Sequence, residues 1–177
     1  MVVSSDLCYR KPHLADDSIA AAILLMKRSR AVELGQPILA KFVGATVTGL
    51  APRIMGIGPS LAIPKLLKKL NITIDDCDVV EVNEAFASMA VYCKNVLNIP
   101  AEKMNPRGGA IALGHPLGCT GARQIVTGLS ECRRTKKKIL LTSSKSGFEI
   151  SFMVTNESLV CIGSGQGMAS LIVNEQI

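Results

Sequence analysis

The sequence contains no tryptophan, two tyrosines, four phenylalanines and two histidines in 177 residues, so aromatic side chains make up only 3% of it. That scarcity argues against a nucleic-acid surface, which interleaves stacking side chains with cations, even though the formal net charge is +6. No apolar run approaches the roughly 20 residues that cross a bilayer, so no membrane span is expected. None of the six cysteines, Cys8, Cys77, Cys93, Cys119, Cys132 and Cys161, stands in a C-x-x-C pair. With no secretory leader read at the start, this argues against disulfide or zinc frameworks and for reduced thiols. What the sequence does have is apolar content, 48% hydrophobic against 19% charged. That suffices for one packed domain and is too apolar for a disordered chain. The cationic balance favours an anionic, phosphate-bearing small molecule as ligand.

Periodicity then sorts the chain into alternating strands and helices. AAAILLM (Ala20 to Met26) is a short apolar run that period alone leaves open between strand and helix; it is read as a strand. Gly35 supplies a stop, and ILAKFVGATVTGL reads as a longer strand. In MGIGPSLAIPKLLKKL, a Gly/Pro break precedes Ile63, Leu66, Leu67 and Leu70 at one-face helical spacing, with Pro64 expected near the first turn. Val79, Val80 and Val82 mark a strand running straight into a helix, which places Asn83 and Glu84 at its carboxyl end, where open α/β sheets hold ligands. Ala122, Ile125, Val126, Leu129 and Cys132 mark another helix, stopped by a basic run from Arg133 to Lys138 that reads as a solvated helix end. KKILLTS and GMASLIVNE read as the last strands, and the alternation predicts a layered α/β domain.

Two loops carry candidate chemistry. His115 lies in GGAIALGHPLG, where flanking glycines permit positive φ and close backbone approach to a ligand. Imidazole accepts a proton near neutral pH and can donate to a developing oxyanion. Cys161 opens CIGSGQG, where Gly163, Gly165 and Gly167 suit a tight turn that presents sulfur and leaves backbone N–H groups as oxyanion donors. This run neither follows a strand nor opens a helix, so the dinucleotide fingerprint fails.

VNEAFA (Val82 to Ala87), GGAIALGHPLGCTGAR (Gly108 to Arg123) and CIGSGQGMA (Cys161 to Ala169) resemble, in order, the three C-terminal signatures of thiolases. MGIGPSLAIP and the Cys-Thr of GCTGAR further resemble the peroxisomal-type 3-ketoacyl-CoA thiolases. The resemblance implies an α/β fold, a layered thiolase-like half with a mixed five-stranded sheet and helices on both faces. It implies thiolytic cleavage of 3-ketoacyl-CoA to acetyl-CoA and a shortened acyl-CoA in fatty-acid β-oxidation. Coenzyme A would be a substrate, with no permanently bound cofactor and no metal. By the same resemblance, His115 activates a nucleophilic cysteine and lines a first oxyanion hole, and Asn83 holds a water there with Glu84 as supporting neighbour. Cys161 protonates the departing acetyl-CoA carbanion and then takes the proton of incoming coenzyme A, and Gly163 is a backbone donor of a second oxyanion hole. A homo-oligomer or a thiolase-type dimer partner is implied, with the peroxisome as compartment and cytoplasm or mitochondrion as alternatives.

The resemblance covers the last half of the family, and the half that carries the nucleophilic cysteine is expected to lie before the point where this chain begins. Cys119, at a helix start, is weighed as a substitute nucleophile, although the family has a small packing residue there. Residues 1–18, with His13, depart from the family and read as an atypical leader, foreign, mispredicted or disordered, leaving 19–177 as the thiolase C-terminal domain. The stretch at about 144–159 reads as an insertion ahead of Cys161, a surface hairpin or translated non-coding sequence. Without the other half, the helix after Thr120 is expected to turn apolar surface to water, favouring self-association or binding to a full-length thiolase chain. The competing reading is a catalytically incomplete chain that binds a partner or has no activity of its own.

Overall fold

The computed structural model describes residues 2–9, 20–144 and 165–177. In chain order its elements are strands β1 (Val2–Tyr9) and β2 (Ala20–Met26), a short helix α1 (Arg28–Glu33), strand β3 (Ala40–Gly49), and a 3-10 segment (Pro52–Ile57) leading into helix α2 (Gly58–Leu70). Strand β4 (Val79–Val82), helices α3 (Ala87–Val96), α4 (Ala110–Leu113) and α5 (Thr120–Thr135), and strands β5 (Ile139–Ser144) and β6 (Gln166–Asn174) complete them. The apolar run from Ala20 is a strand, as read. Pro64 falls past the first turn of α2, because the helix begins earlier, at Gly58, where the fixed φ of Pro59 suits a helix start. Asn71 and Lys136, both in the left-handed region, close α2 and α5 with their N–H groups on the last turns' carbonyls.

The strands form one mixed sheet in the order β2-β1-β3-β6-β5-β4, with β4 and β5 parallel and the other pairs antiparallel. It has six strands where five were expected. The additional strand is β1, in the atypical leader: Val2 to Tyr9 pairs along β2 from Val2 opposite Met26 to Tyr9 opposite Ala20. Backbone ladder groups that β2 would otherwise leave open are thereby satisfied. Residues 10–19, with His13, lie outside the described residues, as do residues 145–164, which contain most of the expected insertion. Ser144, at the last described position before them, faces Met168 in the β5–β6 ladder.

Alternation along the strands divides the core into two layers. Val80 and Val82 of β4, Leu141 of β5 and Ala169 and Leu171 of β6 join Ala62, Ile63 and Leu66 of α2 on one face. Val79, Leu140 and Ile172 point to the other face and meet Ile125, Leu129 and Cys132 of α5. A parallel strand pair covered on both sides explains why all four residues of β4 are buried. The helix α5 does not turn its apolar side to water, contrary to expectation; that side lies on this chain's own sheet, and only Ser130, Arg133 and Arg134 along it are exposed. Exposed apolar side chains gather elsewhere, at Phe86, Val91, Tyr92 and Val96 on and before α3 and at Ile111 and Leu117.

At one point helix and sheet meet through backbone alone. The Cα of Gly167 in β6 lies against Gly58 at the start of α2, so that a Cβ on Gly58 would stand 2.8 Å from it, and a Cβ on Gly167 would collide with the Gly58 carbonyl. Neither neighbour has a side chain to swing aside. Gly167→Ala is therefore expected to cost about 1–3 kcal/mol, the range of overpacked cores, as the urea midpoint falls with an unchanged slope. A midpoint equal to the parent's would refute the close approach.

Candidate active site

The site is assembled at the carboxyl ends of β4 and β5. Asn83, the first residue past β4, donates its backbone N–H to the Ser143 carbonyl at 2.9 Å, extending the parallel ladder by one bond. That bond fixes where its side chain starts. Asn83 and Glu84 then lie in a four-residue link, 83–86, and the helix begins only at Ala87; the strand does not run straight into it. Within this link Glu84 commits its carboxylate to the next loop. Its Oε1 accepts from Asn105 Nδ2 at 2.6 Å and its Oε2 from the Ile111 N–H at 3.3 Å, in the first turn of α4.

Asn105 is the hub of that loop. Held in the left-handed region at φ 46°, it presents its amide to the open edge of β4 as a strand would: Oδ1 accepts from the Val82 N–H at 2.8 Å and Nδ2 donates to the Val82 carbonyl at 2.9 Å. After α4 the chain turns at Gly114, with φ 98° and ψ 163°, a conformation open in practice only to glycine. The turn delivers His115 to Asn83. Asn83 Nδ2 stands 3.3 Å from His115 Nε2, and His115 Nδ1 stands 2.7 Å from the hydroxyl of Thr120 in the first turn of α5. Asn83 Nδ2 also donates to Ser144 Oγ at 3.4 Å, while Asn83 Oδ1 is buried and has no hydrogen-bond partner among the described residues.

Beneath this cluster, Glu81 of β4 is fully buried and accepts from Arg123 Nη1 at 3.1 Å, and Arg123 is itself only 3% exposed. Glu81 Oε1 and Arg123 Nε and Nη2 have no partner among the described residues. Burial pushes the Glu81 carboxyl up to about 7, against the pull of Arg123. Gln124 Nε2 bridges the Glu81 and Ser143 carbonyls at 3.2 Å each, tying the ends of β4 and β5 below Asn83.

Sequence reading thus named Asn83, Glu84 and His115, and the structure brings the first and last together with Glu84 bracing the loop between them. Cys161 and Gly163 lie outside the described residues. Asn105, Thr120, Ser144 and the Glu81–Arg123 pair went unnoticed. Of these, Asn105 alone carried a local signal, an asparagine, which tolerates the left-handed region, in an Asn-Pro pair that opens a turn. Burial pushes the thiols of Cys77 and Cys132 up to about 12 and raises that of Cys93, which disfavours the nucleophilic thiolate at all three. Cys119 is buried at the N-terminal cap of α5. Among the described residues no group of three His, Cys, Asp or Glu side chains could hold a metal, and no helix is long and apolar enough to cross a membrane. Beside Glu84 lies an apolar cavity of about 240 Å³, lined by Ala90, Val91, Met104 and Ile111 with Lys94 at its margin.

An imidazole and a carboxamide in contact at the end of a buried strand can together move a proton and stabilise charge developing on a carbonyl oxygen. Similar proteins share this segment. The peroxisomal 3-ketoacyl-CoA thiolase of Yarrowia lipolytica is 51% identical over 156 residues, 88% of this chain and 34% of that protein. The peroxisomal enzyme of Homo sapiens is 50% identical over 152 residues, 86% of this chain and 32% of its own length. The chain thus spans about a third of the curated relatives it matches. Among solved structures, the dimeric peroxisomal thiolase of Saccharomyces cerevisiae superposes with a TM-score of 0.73 at 44% identity, covering 88% of this chain and 35% of that one. The family model described as thiolase, C-terminal domain, matches residues 36–174, from just before β3 to the end of β6, so the four strands that hold the site lie inside the match while β1 and β2 lie outside it. Fold, motif order and this match agree: the chain belongs to the thiolase C-terminal domain family.

Proposed function

We propose that this chain is the acid/base half of an acyl-CoA thiolase, cleaving 3-ketoacyl-CoA with coenzyme A to acetyl-CoA and a shortened acyl-CoA in fatty-acid β-oxidation. The observation that carries the reading is the approach of Asn83 Nδ2 to His115 Nε2, 3.3 Å, at the carboxyl end of β4. Claisen cleavage places charge first on a carbonyl oxygen and then on carbon, so it needs a base, oxyanion donors and a proton source in one pocket. Here His115 serves as base and as donor to the oxyanion, and the buried, unpartnered Oδ1 of Asn83 suits a bound water. Cys161 is assigned the proton on carbon and Gly163 the second oxyanion donor, both on their motif alone. Coenzyme A is taken as a substrate, in keeping with the net charge of +6 and with a human mitochondrial 3-ketoacyl-CoA thiolase solved in complex with CoA. Pairing with a thiolase chain or with itself is supported by the exposed apolar residues around α3 and by the dimeric yeast relative, and a peroxisomal site by the relatives' compartment.

A second reading, a chain without turnover of its own, is favoured by the buried state of Cys77, Cys93, Cys119 and Cys132, none of which is placed to accept an acyl group. The test is thiolysis of a 3-ketoacyl-CoA by the purified chain, alone and mixed with the remaining two thirds of the Yarrowia lipolytica relative. No turnover is expected alone. In the mixture, His115→Ala and Cys161→Ala should each lower the rate by about 10²–10⁴-fold, the range of a lost general acid or base, and Cys119→Ala should leave it unchanged. Turnover indifferent to Cys161→Ala would defeat the assignment, and turnover by the chain alone that is lost with Cys119→Ala would make that thiol the nucleophile.

A further inference from the structure

We infer that Gln124 is a positioning residue: its buried amide clamps the last rung of the β4–β5 ladder and, with Thr120 one turn earlier on α5, sets the distance of Asn83 from His115. The parallel register ends at Val82 opposite Ser143. One further rung, the Asn83 N–H on the Ser143 carbonyl at 2.9 Å, decides where the Asn83 side chain begins, and the end of a ladder is where fraying starts. Gln124 stands on that rung. It is only 2% exposed, and its Nε2 lies 3.2 Å from the Ser143 carbonyl and 3.2 Å from the Glu81 carbonyl. Both neighbours are backbone oxygens, which only accept, so the NH₂ of the amide and not its oxygen faces them, and its two hydrogens match two carbonyls. Any buried amide needs partners. These two are the carbonyl that receives the Asn83 N–H and the carbonyl of the residue two places before Asn83, one on each strand, so the clamp holds the backbone from which the site side chain projects.

Spacing along α5 supplies the other half. Thr120 and Gln124 are four positions apart and share one face of the helix. Thr120 Oγ1 meets His115 Nδ1 at 2.7 Å, whichever of the two atoms holds the hydrogen between them, and Gln124 meets the strand ends that carry Asn83. Two more residues of that face bear on β4. Arg123 bonds the Glu81 carboxylate at 3.1 Å, and a Cβ on Gly128 would collide with Leu140 and crowd Glu81 Cγ, so α5 has no room to close further on the strand. One rigid helix thus touches both partners of the 3.3 Å approach between Asn83 Nδ2 and His115 Nε2. A change at Gln124 alters that distance without removing either side chain. The catalytic consequence rests on Asn83 and His115 acting as proposed above, but the clamp is measured without turnover.

The experiment follows amide exchange in the full ¹⁵N-labelled chain and turnover in the mixed thiolysis assay. In the parent, the Gln124 side-chain hydrogens should exchange with water at least about tenfold more slowly than those of exposed Gln36. Equal rates would overturn the clamp whether or not any variant folds. Gln124→Met keeps the length of the side chain and removes both donors. It should lower protection of the Asn83 N–H by roughly tenfold, the worth of one hydrogen bond, and leave unchanged the Val82 N–H, which bonds Asn105 Oδ1 on the other edge of β4. Equal losses at Asn83 and Val82, or a Gln124→Met chain that fails to fold, would make Gln124 a general support of the fold and overturn the positioning role. In the mixed assay, Gln124→Met should lower kcat by about ten- to a hundredfold with KM for coenzyme A little changed, the cost of a displacement of up to about 1 Å at the site; kcat equal to the parent's would overturn the role. Added to Asn83→Ala it should lower kcat no further, because Gln124 acts through Asn83, and a full second drop would refute that route. Absence of turnover in every mixture, with the Asn83 N–H deprotected as expected by Gln124→Met, would instead fault the functional reading and leave the clamp standing.

Discussion

Replacing Arg123 by alanine is expected to lower the stability of the chain by about 3–5 kcal/mol at pH 8, the cost of stranding one partner of a buried ion pair. Arg123 is the cation that faces Glu81, which has no exposed surface and whose second oxygen has no partner among the described residues. The loss should shrink at pH 5. Burial raises the Glu81 carboxyl from its ordinary value to about 7, so its contribution to stability is fully present below the unfolded value near 4.5 and fades as the pH rises through about 7. Removing Arg123 takes away the attraction that opposes this rise, and the carboxyl then folds comfortably only when protonated. Urea unfolding at the two pH values measures both effects. The double variant Glu81→Gln/Arg123→Met should recover most of the loss, because apolar or neutral groups of similar volume replace buried pairs with little penalty. A loss equal at pH 5 and pH 8 would show that the pair is not the source.

Asn105→Ala should have an effect of similar size, about 3–5 kcal/mol, from different physics. The substitution strips the Val82 N–H and carbonyl and the Glu84 carboxylate of a partner, at about 1–3 kcal/mol for a buried group left unsatisfied, and places alanine at φ 46°, which costs roughly 1–2 kcal/mol more. Part of the sum is recovered as water reaches the loop. Asn105→Gly separates the contributions, since it removes the hydrogen bonds and relieves the backbone. Amide exchange should report where the damage falls, with the Val82 and Ile111 N–H groups losing protection ahead of the strand centres. Protection unchanged at both positions would contradict the hub role of Asn105. Because the same residue anchors Glu84 and the start of α4, the approach of His115 to Asn83 should loosen with it.

The strand at Ala40 and the helices at Gly58 and Thr120 were legible because each carries apolar residues at a period near two or near 3.6, and the strands at Ala20 and Val79 because each is a short apolar run. Asn83 was legible by position, at the end of a valine-rich strand, and His115 by its glycine setting. The strand Val2–Tyr9 was not, since VVSSDLCY lacks a clear alternation and gains its place by pairing with β2 and, at Val2, with β3. The fate of α5 was misjudged for a related reason: its apolar stripe shows that something must cover it, but not that the sheet of the same chain does so. Pro64 misled because its local rule was applied before the true start of α2 was known.

The sequence by itself determined the alternating layers, the order of the three motifs and the presence of a polar cluster at the strand ends, since these depend on neighbours a few residues apart. Tertiary structure alone decided that Asn83 meets His115 across 32 positions, that Glu81 faces Arg123 across 42, and that Thr120 rather than a carboxylate contacts His115 Nδ1. Such contacts follow from strand register and from the turn at Gly114, which fix side chains in space only after the sheet has closed on its two helical layers.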